Sequence, residues 1–526
     1  MKRIIYKLPF FVLAGLFMIL PVSCELDIND DPNNPTESPL PLLLTSGEAS
    51  FAFAFSQVTG GINNATLTFA HQIVNFRVDQ YGVDGTDFAN DWIQLYSRGL
   101  KDLQVIIDNG TEDGALHYVG VAQILQSFAF SIMVDLWGDV PYFEALTENF
   151  APSYDNGRAI YEDILNVLNE AKQNLNGAST LSPSGDDVFY GGNLDQWERL
   201  ANVLIIKLHN NVRLTDLFSG TTVEGLVASG DIFRDATDDF QFQFGTGNAP
   251  ENRNVAFQTN WAATSRESTI SPFFYERMQA LNDPRINYYW FNQIVSGGTA
   301  QNPTDFQDDT PDGLFVSTRF GAVGPNASFA QQNSQSLLGL YPAGGAFNDG
   351  NGGTGTAASA QGNAPLRLLT YYNLNFILAE LALEENLNVG DPAMLFEEGV
   401  ESAFNKVNEV VGIVGGGAPT IDAATVEAYV NTRRAEFDAA DDAGKLDLIM
   451  QQKAIANFGW GFDSYNDIRR TGFPEIFDPN LDDDVNTQTS RDFPISFPYV
   501  LVELDANPVA PDQRIVTQDR VFWDVN

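Results

Sequence analysis

The sequence of 526 residues contains one cysteine and three histidines, so the side chains that most often bind zinc or iron are nearly absent. The single thiol, Cys24, excludes disulfides within the chain and clusters held by several thiolates. His71, His117 and His209 lie far apart in the sequence and form no HExxH pair, and there is no G-x-S-x-G segment. We therefore expect no catalytic residues, no metal site and no cofactor.

Basic residues are also few: 28 lysines and arginines stand against 69 aspartates and glutamates, which gives a formal net charge of −41. A surface this acidic repels the phosphates of nucleic acid, so nucleic acid is excluded as a partner, and polyanionic ligands are disfavoured. Apolar residues are plentiful, since 44% of the chain is hydrophobic and 12% is aromatic. This composition supports a large core and excludes a disordered chain.

The N-terminus has the features of an export signal. Three basic residues precede an apolar run at residues 8–20, which is too short to cross a bilayer comfortably. Ser23 and Cys24 follow, in a pattern that resembles a bacterial lipoprotein signal. We expect residues 1–23 to be removed, Cys24 to carry the lipid anchor, and the acidic residues 24–40 to form a tether. An ordinary signal peptide with an incidental cysteine is the alternative.

Helical periodicity dominates the rest of the chain, so the predicted fold class is mainly α, within a single domain at 41–526. Successive amphipathic runs separated by short connections indicate antiparallel helical pairs at about 41–216 and 366–526. The amphipathic runs are at 92–107, 115–136, 158–174, 194–214, 366–385, 392–411 and 446–458.

Residues 217–365 differ from these helical parts because they are rich in Gly, Asn, Gln, Thr and aromatic residues. Within them, residues 344–363 are a glycine-rich run, predicted to be a flexible loop, without the strand, helix and basic group of a phosphate-binding loop. A long irregular insertion on a rigid helical frame is where binding surfaces usually lie. We therefore expect the ligand to bind in this region.

Several long segments together resemble one protein family, the SusD/RagB outer-membrane nutrient-binding lipoproteins of Bacteroidetes, in the SusD-like branch associated with starch binding. One departure lies in the segment at 365–383, where the family often has a glutamate. In this sequence the stretch contains Tyr371, Tyr372, Asn373 and Asn375, although Glu380 is present. The segments are LWGDVPYFEAL at 136–146, VFYGGNLDQWERLANVLIIKLHNNVR at 188–213, PLRLLTYYNLNFILAELAL at 365–383, IMQQKAIANFGWGFDSYNDIRRTGFP at 449–474 and FPYVLVELDANP at 497–508.

The resemblance implies a tetratricopeptide-like helical scaffold and a cell-surface protein, anchored in the outer membrane and facing the exterior. It also implies a non-catalytic role, in which a captured oligosaccharide or polysaccharide passes to a TonB-dependent, SusC-like transporter. The acidic surface favours a neutral glycan such as a glucan. A binder of another nutrient, such as peptide, within the same uptake architecture is the alternative.

The resemblance also implies that an early loop at 75–91 contributes to the glycan site. In this sequence the loop offers Asn75, Arg77, Tyr81 and Asp84. Arg77 has an alternative role, because a lone arginine in an acidic chain often pairs with a nearby aspartate.

The seven tryptophans fall into two groups. Trp261 and Trp290 lie in the irregular region, beside Asn260, Tyr288 and Tyr289, where aromatic faces and amide groups suit a sugar. We expect Trp290 to be an exposed stacking platform; the alternative is an aromatic cluster that closes a loop. The tryptophans predicted to be structural are Trp92, Trp137, Trp197, Trp460 and Trp523.

Replacing Cys24 with alanine should release the protein from the membrane without unfolding it. The reason is that the residue lies in a polar tether outside the predicted helical body and provides only the lipid attachment. Fractionation of cells that produce the Cys24→Ala variant, with a melting curve of the released protein, measures both effects. A variant that remains in the membrane fraction would contradict the lipoprotein interpretation.

Overall fold

The computed structural model of the protein describes residues 38–58, 60–75, 80–263, 266, 268–295, 298, 306–307, 313–321, 333–476 and 492–525. The predicted signal peptide, the lipidation site Cys24, most of the tether and the candidate glycan contact Arg77 lie outside the described residues. The described part is mostly helical, which confirms the predicted fold class.

Long helices make up the parts of the chain on either side of the loop-rich region. Two π-helical turns, Leu95–Gly99 and Gln258–Ala262, and a 3-10 turn, Ala236–Asp238, interrupt or extend them. The α-helices are α1 (Leu40–Phe55), α2 (Gly61–Phe69), α3 (Ala89–Gln94), α4 (Leu100–Asp113), α5 (Leu116–Trp137), α6 (Gly157–Asn176), α7 (Leu194–Asn211), α8 (Gly220–Ser229), α9 (Val255–Phe257), α10 (Pro272–Ala280), α11 (Ile286–Tyr289), α12 (Leu340–Ala343), α13 (Tyr371–Glu384), α14 (Pro392–Val414), α15 (Ala423–Ala439), α16 (Asp442–Ala456), α17 (Gly461–Thr471) and α18 (Leu501–Ala506).

The strands of the described part are two to four residues long and pair into small antiparallel sheets, so they connect segments and do not form a layer of their own. The pairs are β1–β5, β2–β3, β4–β10, β6–β9 and β7–β8. Their bounds are β1 (Ile73–Asn75), β2 (Val140–Pro141), β3 (Tyr154–Asp155), β4 (Phe240–Phe242), β5 (Ser268–Ile270), β6 (Trp290–Phe291), β7 (Phe306–Gln307), β8 (Val316–Ser317), β9 (Leu337–Leu338) and β10 (Leu366–Leu369).

Helices that follow one another along the chain pack side by side, which confirms the predicted helical-pair scaffold. Helices α4, α5, α6 and α7 pack in succession, and α13, α14 and α15 do the same in the second half. The two halves meet where α7 packs against α13, and where α17 packs against the early helix α2. The scaffold is therefore assembled from segments that are distant in the sequence.

The predicted helix at 366–385 begins later than expected. Residues Leu366–Leu369 form β10, and α13 starts only after Thr370. The Thr370 side chain accepts from the backbone N–H of Asn373, and the Asn373 side chain accepts from the backbone N–H of Thr370, so the two form a capping box. The asparagine that departs from the family pattern therefore stabilises the start of the helix.

Helix α5 is the one helix of the described part that is long and apolar enough, by length and composition, to cross a membrane. Within its most apolar window, 94% of the residues are buried inside the protein. Neighbouring helices cover it on several sides, as expected for the central helix of a core.

The five tryptophans predicted to be structural are buried, which confirms that prediction. Trp137 donates from Nε1 to the carbonyl oxygen of Pro498 at 2.9 Å, and Trp197 donates to Asp187 at 2.7 Å. The indole N–H groups of Trp137 and Trp197 are therefore satisfied within the core.

A buried ionic network joins four helices. Glu380 of α13 is fully buried and accepts hydrogen bonds from both terminal nitrogens of Arg470 on α17, one of them at 2.8 Å. Asn210 of α7 donates to the same carboxylate at 2.8 Å. Arg470 also contacts Asp467 at 2.9 Å, and Lys453 of α16 lies 2.9 Å from that aspartate.

The surroundings of Glu380 keep its carboxylate ionised. Burial by itself raises the pKa, but the charge and hydrogen bonds of Arg470, together with Arg213, outweigh burial and lower the pKa to about 2. Because the folded pKa is below that of the unfolded chain, the group stabilises the fold above about pH 4.5, and this contribution is lost as the pH falls through about 2.

The Glu380→Gln variant should lose about 3–5 kcal/mol of unfolding free energy at pH 7, because two arginines remain buried with less compensating charge. Urea unfolding of both proteins measures the loss, which should shrink as the pH falls from about 4.5 towards 2. The exposed residue Glu112 provides the control, and Glu112→Gln should unfold like the wild type. Equal stabilities of wild type and Glu380→Gln at pH 7 would contradict the role of the network.

Candidate functional site

The two tryptophans proposed as stacking platforms are buried. Trp290 in β6 and Trp261 in a π-helical turn are each 1% exposed, so the expectation that they present exposed rings is wrong. The pairing of β6 with β9 draws Trp290 inward, where its ring lies 5.0 Å from that of Tyr275. Trp261 donates from Nε1 to the carbonyl oxygen of Leu338 at 2.7 Å. Both side chains belong to a second core, formed by the loop-rich region and the C-terminal helices.

Tyr289 and Asn260 are buried in the same core, so they too are not positioned as surface contacts. The Tyr289 ring stacks on Tyr341 with centroids 5.0 Å apart, and its hydroxyl donates to the carbonyl oxygen of Ile455 at 2.9 Å. The Asn260 side chain accepts from the backbone N–H of Leu338 at 2.8 Å. The alternative interpretation, an aromatic cluster that closes a loop, describes these residues better.

The early loop is connected to the loop-rich region through a strand pair. Asn75 in β1 is opposite Ser268 in β5, and the serine hydroxyl donates to the Asn75 side chain at 2.9 Å. Asn260 donates to the backbone oxygen of Ser268 at 3.2 Å. The structure therefore brings half-buried Asn75 and buried Asn260 to the same serine, as hydrogen-bonding groups within the fold.

The remaining candidates of the early loop differ in exposure. Tyr81 is buried, and its hydroxyl lies 2.9 Å from Nε2 of His71. Asp84 is exposed and accepts from the backbone N–H of Thr86 at 2.7 Å. Of the candidate residues that the structure describes, Asp84 is the one with an exposed side chain.

Two of the histidines are unsuited to acid–base chemistry near neutral pH. Burial, followed by the charge of Arg277, lowers the pKa of His71 to about 3. Burial lowers the pKa of His209 to about 4. Among the described residues, no group of three or more His, Cys, Asp or Glu side chains is arranged to hold a metal ion.

Tyr288 packs beside an open cleft. Its hydroxyl donates to the carbonyl oxygen of Pro419 at 2.8 Å, and its ring centroid lies 4.8 Å from that of Phe347. Phe347 is half-buried and lines a cleft of about 310 Å³, which is within the range of small-molecule sites. We call this the Phe347 cleft. It lies between the run at 344–363 and the end of α14.

Three consecutive glycines line part of the Phe347 cleft with backbone atoms. Helix α14 ends at Val414, and Gly415, Gly416 and Gly417 follow with φ values of 72°, 76° and 79°. No atom lies within 4 Å of the position that a Cβ would occupy at these glycines, so the positive φ and not crowding requires glycine. The exposed backbone can form hydrogen bonds with sugar hydroxyls.

The lining residues that come from the run at 344–363 include polar side chains and one negative charge. Asp349, Ser359 and Gln361 are exposed there. The backbone and side-chain amides of Asn351 donate to Asp349 and lower the pKa of its carboxyl group. The described residues that line the cleft include no lysine, arginine or histidine. The described lining therefore offers no cationic side chain that could pair with an anionic group.

Sequence reasoning missed this cleft because residues 344–363 resemble a flexible linker. Phe347 was a possible signal, since an aromatic residue in a run of Gly and Asn needs a partner or a ligand. The glycines at 415–417 lie far away in the sequence, so their contact with the run could not be predicted.

A larger cavity of about 520 Å³ lies beside Arg213, Arg469 and Arg470. Arg213 and Arg470 contact Glu380, and Arg469 donates to the carbonyl oxygen of Ile495 at 2.9 Å. These guanidinium groups hold the scaffold together, so we do not assign the cavity to ligand binding.

A sequence model of a family described as SusD-like, starch-binding and associating with the outer membrane matches residues 32–499. The chain belongs to this SusD-like family. No curated protein matches the sequence in a direct comparison.

Solved structures of SusD homologues share the fold. A SusD/RagB family protein from Bacteroides thetaiotaomicron is 22% identical, with a TM-score of 0.69 over 93% of this chain and 99% of that one. A chitin-binding SusD homologue from Flavobacterium johnsoniae is 19% identical, with a TM-score of 0.66 over 92% of this chain and 99% of that one. At these identities, the likeness establishes a SusD-like fold.

The burial of Trp290 reverses the expected effect of its replacement. Trp290→Ala should reduce the unfolding free energy by about 3–5 kcal/mol, because it opens a cavity in the second core. Thermal and urea unfolding measure this loss. Phe150, which is 97% exposed, provides a matched aromatic control, and Phe150→Ala should unfold like the wild type. A Trp290→Ala protein as stable as the wild type would contradict the core assignment.

Proposed function

We propose that this SusD-like protein is a non-catalytic lipoprotein of the outer-membrane surface, which captures a neutral glycan in the Phe347 cleft. It then passes the glycan to a TonB-dependent, SusC-like transporter. The observation that carries the glycan assignment is the cleft itself, whose lining combines an aromatic residue with exposed backbone and polar side chains. The family description, which includes starch binding and the outer membrane, supports the same role.

The chemistry of the cleft matches that of a sugar. A sugar ring has an apolar C–H face that packs on an aromatic ring, while its hydroxyl groups need hydrogen-bond donors and acceptors. Phe347 supplies the ring, and Ser359, Gln361 and the glycine backbone supply polar groups. The chitin-binding neighbour from Flavobacterium johnsoniae supports a glycan as the ligand class. The absence of cationic side chains among the described lining residues favours a neutral chain such as a glucan.

Phe347→Ala should weaken glycan binding at least tenfold, since one stacked aromatic ring commonly provides about 2 kcal/mol of binding free energy. A glycan array first identifies a ligand among neutral, sulfated and uronic-acid oligosaccharides, with peptides as a further class. Calorimetric titration of the best ligand then compares wild type, Phe347→Ala and Phe347→Trp. The tryptophan variant retains a stacking face and should bind within a few fold of the wild type.

Two controls distinguish a loss of glycan affinity from unfolding and from nonspecific binding of the glycan to exposed aromatic rings. The melting temperature of Phe347→Ala shows whether the protein remains folded. Phe150→Ala removes an exposed ring from a different segment and should bind the glycan normally. Unchanged affinity in a folded Phe347→Ala protein would refute the cleft assignment, and release of reducing ends from the ligand by pure protein would refute the non-catalytic role.

A further inference from the structure

Exposed apolar side chains are concentrated on two short segments of the surface. Of the fifteen large hydrophobic residues that are exposed in the described part, six lie within residues 143–150 and 501–515. We call them the apolar patch. Its members are Phe143, Phe150, Leu501, Val502, Val509 and Ile515.

The two segments are neighbours in the fold, because residues that directly follow the first segment contact residues in or next to the second. Asn507 donates from its side-chain nitrogen to the carbonyl oxygen of Pro152 at 2.8 Å, and the rings of Tyr154 and Tyr499 have centroids 5.0 Å apart. Leu501 donates from its backbone N–H to the carbonyl oxygen of Gly85 at 3.0 Å. The patch is therefore part of the folded body.

Folding explains Leu501 in part, since its side chain is 38% exposed and lies beside Gly85, but it does not explain why the more exposed members of the patch are apolar. Phe150 is 97% exposed, and helix α18, which carries Leu501 and Val502, has no buried residue. Exposed side chains such as these do not stabilise a core, and apolar patches on a protein surface commonly mark a binding interface.

The charges of the same two segments restrict the partner. Glu144, Glu148, Asp505 and Asp512 are exposed around the apolar side chains. Arg514 is the one basic residue within 143–150 and 501–515, and its guanidinium donates to the carbonyl oxygen of Trp137 at 2.6 Å. One further basic residue adjoins the patch, since exposed Lys101 of α4 donates to the carbonyl oxygen of Leu146. With these four carboxylates around the patch, the rim is acidic overall. It would repel a second copy of this chain, whose net charge is −41, and also anionic lipid headgroups.

We infer that the apolar patch is the docking surface for a protein with an apolar centre and a basic rim. Within the proposed function, on which this inference rests, that protein is the TonB-dependent transporter. The Phe347 cleft and the apolar patch use different residues, so ligand binding and docking should be separable by mutation.

The test compares two double variants of the full-length lipoprotein in its native host. Phe150→Glu with Val509→Glu alters the apolar patch, and Leu42→Glu with Met394→Glu alters residues elsewhere that are 66% and 65% exposed. Each tagged protein is purified from detergent-solubilised outer membranes, and the co-purified TonB-dependent transporter is quantified by mass spectrometry. The patch variant should retain at least tenfold less transporter than the wild type, and the control variant should retain a wild-type amount.

Glycan titration of the same proteins distinguishes this inference from the proposed function. Normal glycan binding by the patch variant, with lost transporter, supports the docking surface. Wild-type levels of transporter with the patch variant overturn the docking surface but leave glycan capture intact. Absence of transporter even with the wild type overturns both the delivery role and the docking surface.

Two further outcomes would assign the patch to another occupant and so overturn the inference. One is a wild-type dimer in light scattering that the patch variant does not form. The other is sedimentation of the unlipidated Cys24→Ala protein with phosphatidylethanolamine–phosphatidylglycerol vesicles that is lost in the patch variant.

Discussion

The packing of the helical scaffold depends on one buried carboxylate, that of Glu380. It lies on α13 and is held by Arg470 of α17, while Asn210 connects it to α7. Lys453 of α16 joins the same network through Asp467. A buried charge without a partner is costly, so each of these helices must sit where its polar group can reach the others. The network thereby defines how helices that are distant in sequence pack together.

The loop-rich region is ordered around aromatic residues that form a second core. Trp290, Trp261 and Tyr289 are buried there, although the strands around them have only two or three residues. Short strands contribute little stability by themselves. Large aromatic side chains compensate, because each removes a large apolar area from water when it packs against the C-terminal helices. Aromatic residues in an irregular segment are therefore not a reliable sign of a ligand surface in this protein.

The Phe347 cleft lies at the edge of this second core, where the loop-rich region meets the end of α14. Phe347 comes from the irregular region, whereas Gly415–Gly417 follow the end of α14. Tyr288 bridges the two sides, since its ring contacts Phe347 and its hydroxyl binds the carbonyl oxygen of Pro419. These two contacts fix the position of Tyr288, and with it the ring against which Phe347 packs.

The sequence was enough to predict the helical pairs, because helical periodicity is a local property that needs no knowledge of distant contacts. It was also enough to predict the structural tryptophans, most of which lie in the helical runs or in the family-like segments. It also indicated the family, through long segments such as 449–474. It did not show that Leu366–Leu369 would become a strand, since its partner Phe240–Phe242 lies more than a hundred residues away. Nor could it show whether Trp290 faces solvent or a core. The burial of Trp290 and the position of the Phe347 cleft are visible only in the folded protein, because both depend on contacts between residues far apart in the chain.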